Sequence, residues 1–327
     1  MISGPSDQIL EGLSGNTAAE KAAALEQSMT AMDQMVEMFY AHKGLSTASD
    51  AEPHNRVPAG RLNIRYQRMF AGAFMYAGGL HIGIEWPQFK EMVNGKPVIA
   101  DAEGRYQSGS LFGWGLSHEI GHEINEGAYA VAEVTNNYYP LLAQARDTND
   151  SLRFKYEDVF KKTTSGARGK ASDGAVQLAM YWQLHLAYDM GGYNFKTFDT
   201  SKEQLENLIF ARMDSYVRKP SSAPGAEGNK LKLSGTDKDN VLMRLAAAAA
   251  RKDLLDFFRH WGMEPDADTV RYASQFEKEE RGIWFANDEN RVWQMENRNT
   301  SQKTESSAKG SVPQGTRSEE HTSELQS

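Results

Sequence analysis

Residues 113–139 read GWGLSHEIGHEINEGAYAVAEVTNNYY, and inside this stretch His118-Glu119-Ile120-Gly121-His122 forms an H-E-x-x-H arrangement. On an α-helix, side chains four residues apart lie about 40° apart in projection, so both imidazoles face one side and can share an ion. Glu119 projects from the neighbouring edge of that face. There it can take a proton from a water on the ion without ligating the ion itself. With only eight histidines in 327 residues, a chance match is an event of about one in a hundred.

A catalytic zinc needs a third protein ligand and an open fourth position. The chain contains no cysteine, so the third ligand is a histidine or a carboxylate. Glu133, eleven residues after His122, is the favoured candidate. Gly127 is placed to end the first helix, and a second helix from near Ala128 (AYAVAEVTNNYYPLLAQ) is expected to turn back and present Glu133. Asn137 then lies one turn further along the same side, placed to orient a ligating histidine through its other ring nitrogen. Glu123 and Glu126 are rivals, each requiring the helix to bend back on itself.

Outward from this stretch, the chain divides. Residues 17–43 carry an apolar stripe (Leu25, Met29, Met32, Val36, Phe39, Tyr40) behind a Thr17/Glu20 capping box, with Gly44 at the stop. A loop is expected over 46–60 and a half-buried strand over Leu62, Ile64 and Tyr66. Strands and turns are expected over the glycine-rich 70–86. Beyond 145 the pattern is helical, at about 173–190, 201–218, 237–251, 253–260 and 267–278, with start signals at Asp173, Thr200/Glu203 and Thr236/Asp239. Residues 161–170 and 219–235 read as loops. This is an α+β pattern: a small strand-containing part, then the motif helix, then a mostly helical part.

Composition narrows the function classes. Apolar residues at 40% and charged residues at 24% describe a globular chain, and the net charge of −8 argues against a nucleic-acid surface. No stretch is long and apolar enough for a transmembrane helix. Residues 1–296 are expected to form one catalytic domain and 297–327 a disordered tail. Within that tail, RSEEHTSELQS (317–327) resembles a translated sequencing adapter. The Met1-Ile-Ser-Gly-Pro start lacks the basic and apolar segments of a secretion signal.

The central stretch resembles the enhancin-like, mucin-degrading zinc metallopeptidases, family sixty of the metallopeptidases. Their motif is H-E-x-x-H, a short variable gap, and a glutamate typically within G-x-x-E-V-T-N-N. Glu133-Val134-Thr135-Asn136-Asn137 matches that string, although no glycine stands just ahead of Glu133. AGGLHIGIEW (77–86) is similar to a strand-and-turn element lining the family's cleft, and MYWQLHLAYD and LLDFFRHWG to pieces of its helical half. The likeness spans roughly residues 20–290. It implies a gluzincin fold, one Zn²⁺ held by His118, His122 and Glu133, and Glu119 as general base. It further implies cleavage of O-glycosylated proteins such as mucins by an extracellular or cell-surface enzyme. Family members carry further amino-terminal strands and carbohydrate-binding modules, so the upper wall of the cleft is expected to lack strands. A broad thermolysin-like endopeptidase and a non-catalytic glycan-binding remnant are the alternative readings. The oligomeric state is not legible.

Around the motif, four side chains are candidate substrate contacts. Trp114, four residues before the first histidine, matches a family tryptophan, which implies contact with substrate or glycan; a core role fits it equally. His81 sits in a glycine-rich turn, Tyr138 follows the second expected helix, and Arg168 lies in the basic loop, where solvation is the simpler role.

Overall fold

The computed structural model describes residues 1–60, 62–69, 72–85, 93, 99–100, 106–107, 111–146, 153–189 and 208–288. The start signal Thr200/Glu203, the first part of the helix expected at 201–218, and the tail at 297–327 lie outside the described residues. The fold is mixed α+β, a small sheet beside a mostly helical body.

The larger of two sheets has four strands in the order β1-β2-β4-β3: β1 (Ile2–Ser3), β2 (Asn63–Tyr66), β3 (Met75–Gly78) and β4 (His81–Ile84). β1 and β4 flank β2 in parallel, and β3 returns antiparallel on β4. The two-residue turn Gly79-Leu80 has positive φ at both positions, 62° and 65°. That geometry matches the right-handed twist of a hairpin, but it is unfavourable for a leucine. Within the hairpin, Gly83 leaves the space that the cross-strand Tyr76 ring fills: a Cβ there would stand 2.1 Å from the ring.

The helical body begins with α1 (Ser6–Gly12) and α2 (Ala18–His42). The Thr17/Glu20 box is formed: the Glu20 amide donates to the Thr17 hydroxyl at 3.2 Å, and the Thr17 amide donates to the Glu20 carboxylate at 2.9 Å. The buried face of α2 runs through Ala24, Ser28, Met32, Met35, Met38, Phe39 and His42, while Leu25, Met29, Val36 and Tyr40 are only half-buried. The expected stripe is therefore rotated toward the small residues Ala24 and Ser28, which allow a closer approach to the core.

A single π-helical turn (Leu111–Leu116) leads into the motif helix α3 (Ser117–Ile124). A 3-10 turn (Thr135–Asn137) then opens α4 (Tyr138–Arg146). Next come α5 (Tyr156–Thr164) and α6 (Gly174–Tyr188). They are followed by α7 (Ile209–Arg218), α8 (Lys238–Ala250), α9 (Leu255–His260) and α10 (Ala267–Ala273). Residues Val176–Leu186 of α6 are buried all round, which makes it the central helix of the body. The 161–170 segment, expected as a loop, is helical as far as Thr164, because Val159 and Thr163 bury one face of α5.

Helix starts follow side-chain chemistry. Asp173 caps α6 through the Ala175 and Val176 amides. The α8 cap is Asp237 rather than the expected Thr236, whose hydroxyl instead donates to Asp266. Asp266 caps α10 and also receives the buried Arg244 guanidinium of α8 at 2.9 and 2.8 Å. Burial opposes ionisation of Asp266, but the Thr269, Arg244 and Thr236 hydrogen bonds outweigh it and hold the carboxyl at about 2. This stabilisation is complete above the unfolded carboxylate value of about 3.9 and fades as the pH falls toward that depressed value. Asp266→Ala removes the cap and strips Arg244 of its carboxylate; urea unfolding is expected to show a loss of about 3 kcal/mol.

Candidate active site

α3 carries the motif. Its outward face bears His118 and His122, one turn apart, and its inward face buries Ile120 and Gly121. Ser117 donates to the Met35 sulfur at 3.1 Å, which ties α3 to α2. On the other flank, Glu123 accepts the Leu80 amide at 2.9 Å. The hairpin turn is thereby seated on α3, and this bond offsets part of the unfavourable leucine geometry.

The segment after α3 departs from the expected second helix. Residues 125–134 form successive turns, helical conformation resumes only at Thr135, and Glu133 sits at φ 61°. The Thr135 hydroxyl accepts the Val131 amide at 3.0 Å and the Asn125 side chain at 2.7 Å, and it donates back to the Val131 carbonyl. Such side-chain bonds to nearby backbone compete with a helical ladder, so the segment curls instead of continuing. Gly121 admits it: a Cβ there would lie 2.4 Å from the Asn136 carbonyl oxygen.

This curl brings the Glu133 carboxylate to both imidazoles. Its oxygens stand 3.3 Å from His118 Nε2 and 3.0 Å from His122 Nε2, and the two Nε2 atoms are 3.1 Å apart. A tetrahedral zinc with bonds of about 2.0–2.1 Å has ligand–ligand edges of about 3.3–3.4 Å. The two nitrogens and the carboxylate oxygen facing each of them stand at such spacings, slightly contracted, and the donor set fits zinc. Glu119 also has an oxygen within 4.8 Å of the two imidazole nitrogens. Glu133 is the nearer carboxylate, which leaves Glu119 free for another role. Glu123 and Glu126, the rival ligands, are engaged elsewhere, with the Leu80 amide and, at 4.0 Å, with Lys43.

Asn137 is not on a helix with Glu133, yet it meets both partners. Its amide donates to the Glu133 carbonyl at 2.7 Å, and its oxygen lies 2.6 Å from His118 Nδ1. With Nδ1–H donating there, His118 presents the Nε2 lone pair toward His122 and Glu133. Sequence reasoning missed the fully buried Asn136, whose amide nitrogen lies 3.2–3.3 Å from ring nitrogens of both histidines. Only its adjacency to Asn137 in the V-T-N-N string signals it.

The charges respond to this crowding. Burial lowers His118, but its bonds to Glu133 and Asn137 and the nearby carboxylates raise it overall. Burial and the neighbouring His118 lower His122. The His118 hydrogen bond holds Glu133 below the usual carboxylate range, against a smaller opposing effect of burial. Burial is also the main reason that Glu119, 8% exposed, is pushed up to about 7; His118 opposes the rise while Glu133 and Glu123 add to it. A carboxyl at that value can both accept and return a proton near neutrality.

The candidate substrate contacts scatter. Trp114 is half-buried with the Arg153 guanidinium 4.1 Å over its ring, so one face is covered. His81 opens β4 and lies 2.8 Å from Arg65 and 2.9 Å from the Tyr76 hydroxyl. Tyr138 is buried, its hydroxyl among His42 and His185 in the helical core, so it offers no exposed surface to a substrate. Arg168 is exposed and pairs with Glu264 at 2.8 Å.

Two histidines and a glutamate thus converge within about 3.3 Å of one another, with a buried glutamate alongside. Residues 16–262 match the family described as peptidase M60, enhancin and enhancin-like, and the chain belongs to this family of metallopeptidases. Accessory colonization factor AcfD of Vibrio cholerae is 29% identical over 168 residues, covering 46% of this chain and 11% of that protein. The M60 catalytic domain of Clostridium perfringens ZmpC, solved in complex with the sialyl T antigen, superposes with a TM-score of 0.57 at 22% identity, over 82% of this chain and 48% of that one. A conserved Bacillus anthracis protein of unknown function gives a TM-score of 0.62 at 18% identity, over 87% and 52%. The chain thus spans about a tenth of the Vibrio relative and about half of these solved chains. Among the described residues, no helix is long and apolar enough to cross a membrane.

Gly121→Ala places a methyl group against the Asn136 carbonyl. Thermal unfolding should register a loss of about 1–3 kcal/mol, because the obstructing atom is buried backbone with little room to move.

Proposed function

We propose that this chain is a zinc-dependent endopeptidase that cleaves peptide bonds in O-glycosylated, mucin-like proteins, outside the cell or at its surface. The observation that carries the reading is the convergence of His118 Nε2, His122 Nε2 and the Glu133 carboxylate, one oxygen 3.3 Å from His118, the other 3.0 Å from His122, and the two nitrogens 3.1 Å apart. These three residues hold the metal. When bound, zinc polarises the scissile carbonyl and lowers the pKa of a coordinated water toward 7.

Glu119 is the general base, taking a proton onto its carboxylate and delivering it to the departing amine. Asn137 keeps His118 in the ligating tautomer through Nδ1. β3, which has β4 as its one strand neighbour among the described residues, packs against α3. An extended substrate adding to its other edge runs alongside the motif helix. His81 on β4 and the half-buried Trp114 are the candidates for substrate contact. Arg168, held by Glu264, is a weaker one.

Glycoprotein specificity is supported by the sialyl T antigen bound to the ZmpC domain, and an extracellular or surface setting by the colonization role named for the Vibrio relative. Glu119→Gln is expected to retain one zinc per chain while turnover falls by at least about a thousandfold; metal analysis beside a glycopeptide cleavage assay checks both. His122→Ala should lose the zinc itself. Mass spectrometry of a mucin glycopeptide and its unglycosylated counterpart, each digested with and without chelator, tests the substrate: equal cleavage of the bare peptide defeats the glycan requirement, and cleavage unaffected by chelator defeats the metal.

A further inference from the structure

We infer that the buried Asp214–Lys43 pair, acting through the Tyr129 hydroxyl, is the positioning anchor of the turn that presents Glu133. Its consequence for metal binding rests on the function proposed above; its geometry does not.

Glu133 occupies a left-handed backbone conformation. A non-glycine residue there is strained and persists only where the surroundings over-determine it. The bonds of Thr135 with Asn125 and Val131, and of Asn137 with Glu133, close the turn on itself and on α3. They do not tie it to the helical body. Lys238 reaches the Ala130 carbonyl at 2.9 Å in an exposed bond, and Glu126 approaches Lys43 only at 4.0 Å, beyond hydrogen-bond distance. The buried tie is Tyr129, four residues before Glu133 and 6% exposed. Its hydroxyl donates to Asp214 Oδ1 of α7 at 2.6 Å, and Asp214 Oδ2 accepts Lys43 Nζ, just past α2, at 2.8 Å.

Packing holds Tyr129 and Val134 in the core but leaves space around the anchor. A cavity of about 20 Å³ lies among Asn125, Tyr129, Thr135, Tyr138 and Asp214. Stability does not explain the ion pair. Removing two charges from water is costly, and apolar residues of similar volume are often as stable or more so. Burial alone lowers Lys43, but Asp214, with Tyr139 and Glu126 adding, outweighs it and keeps the ammonium charged. What apolar residues cannot provide is a short, directional, charge-assisted bond that sets the depth and rotation of the tyrosine. The anchor therefore defines where the strained turn, and with it the Glu133 carboxylate, stands relative to α3.

The test compares wild type with Tyr129→Phe and with the all-apolar combination Tyr129→Phe, Asp214→Leu and Lys43→Met. Hydrogen exchange is measured on metal-free protein, zinc affinity by chelator competition, and stability by thermal unfolding. The expected result is that the apolar variant unfolds within a few degrees of wild type. Amides of residues 127–137 exchange at least about tenfold faster, α2 and α7 keep their protection, and zinc affinity falls by about 10–100-fold. Exchange of 127–137 and zinc affinity both within about twofold of wild type in both variants overturns the anchor. If the combination does not fold, the single Tyr129→Phe variant decides by the same two readouts. If wild type itself binds no zinc through His118 and His122, the metal-site reading fails, and exchange of the metal-free turn still decides the anchor.

Discussion

A backbone carbonyl rests where a side chain is missing. The Asn136 oxygen occupies the space that a Cβ on Gly121 would fill, and the candidate site is assembled around that contact. Because the two backbones approach so closely, the segment following the motif helix lies directly on it. Asn137 then reaches His118, Asn136 reaches both imidazoles, and Glu133 reaches the pair from the open side. Any residue larger than glycine at position 121 displaces all three together.

Three nearby carboxylates illustrate how environment separates chemically identical groups. Glu119 is buried beside other carboxylates and is pushed up to about 7. Glu133 is two-thirds exposed, lies against two imidazoles and is held down. Glu123 is spent on the backbone amide of the hairpin turn, so it joins sheet and helix rather than binding an ion. Groups of one type whose environments push them apart are the usual basis for dividing acid–base work from ligation.

The turn carrying Glu133 belongs mechanically to neither the sheet nor the helical body. It is closed by its own side chains, strained at Glu133, and tied into the helices through Tyr129, Asp214 and Lys43. A flexible ligand on a surface loop positions an ion poorly, because each loose rotation lowers the fraction of time the donors converge. Local strain held by buried polar bonds is one way a short loop attains the precision of a helix.

How much of this was legible in the chain depended on the range of the interaction. The capped start of α2, the cap of α6 and the adjacency of His118 and His122 follow from helical repeat and neighbouring side chains, so they could be read directly. The α+β division followed from periodicity in the same way. The conformation of residues 125–134 could not be read: Ala and Glu there favour a helix, and the competing bonds from Asn125 and Thr135 depend on where the chain has already been led. Likewise the buried face of α2, the covering of Trp114 by Arg153 and the burial of Tyr138 were decided by what packed against them. The sequence by itself thus determined which side chains stand together within one helical turn. Only the tertiary structure decided which distant carboxylate completes the set, because that choice is made by a contact between backbones that no local propensity encodes.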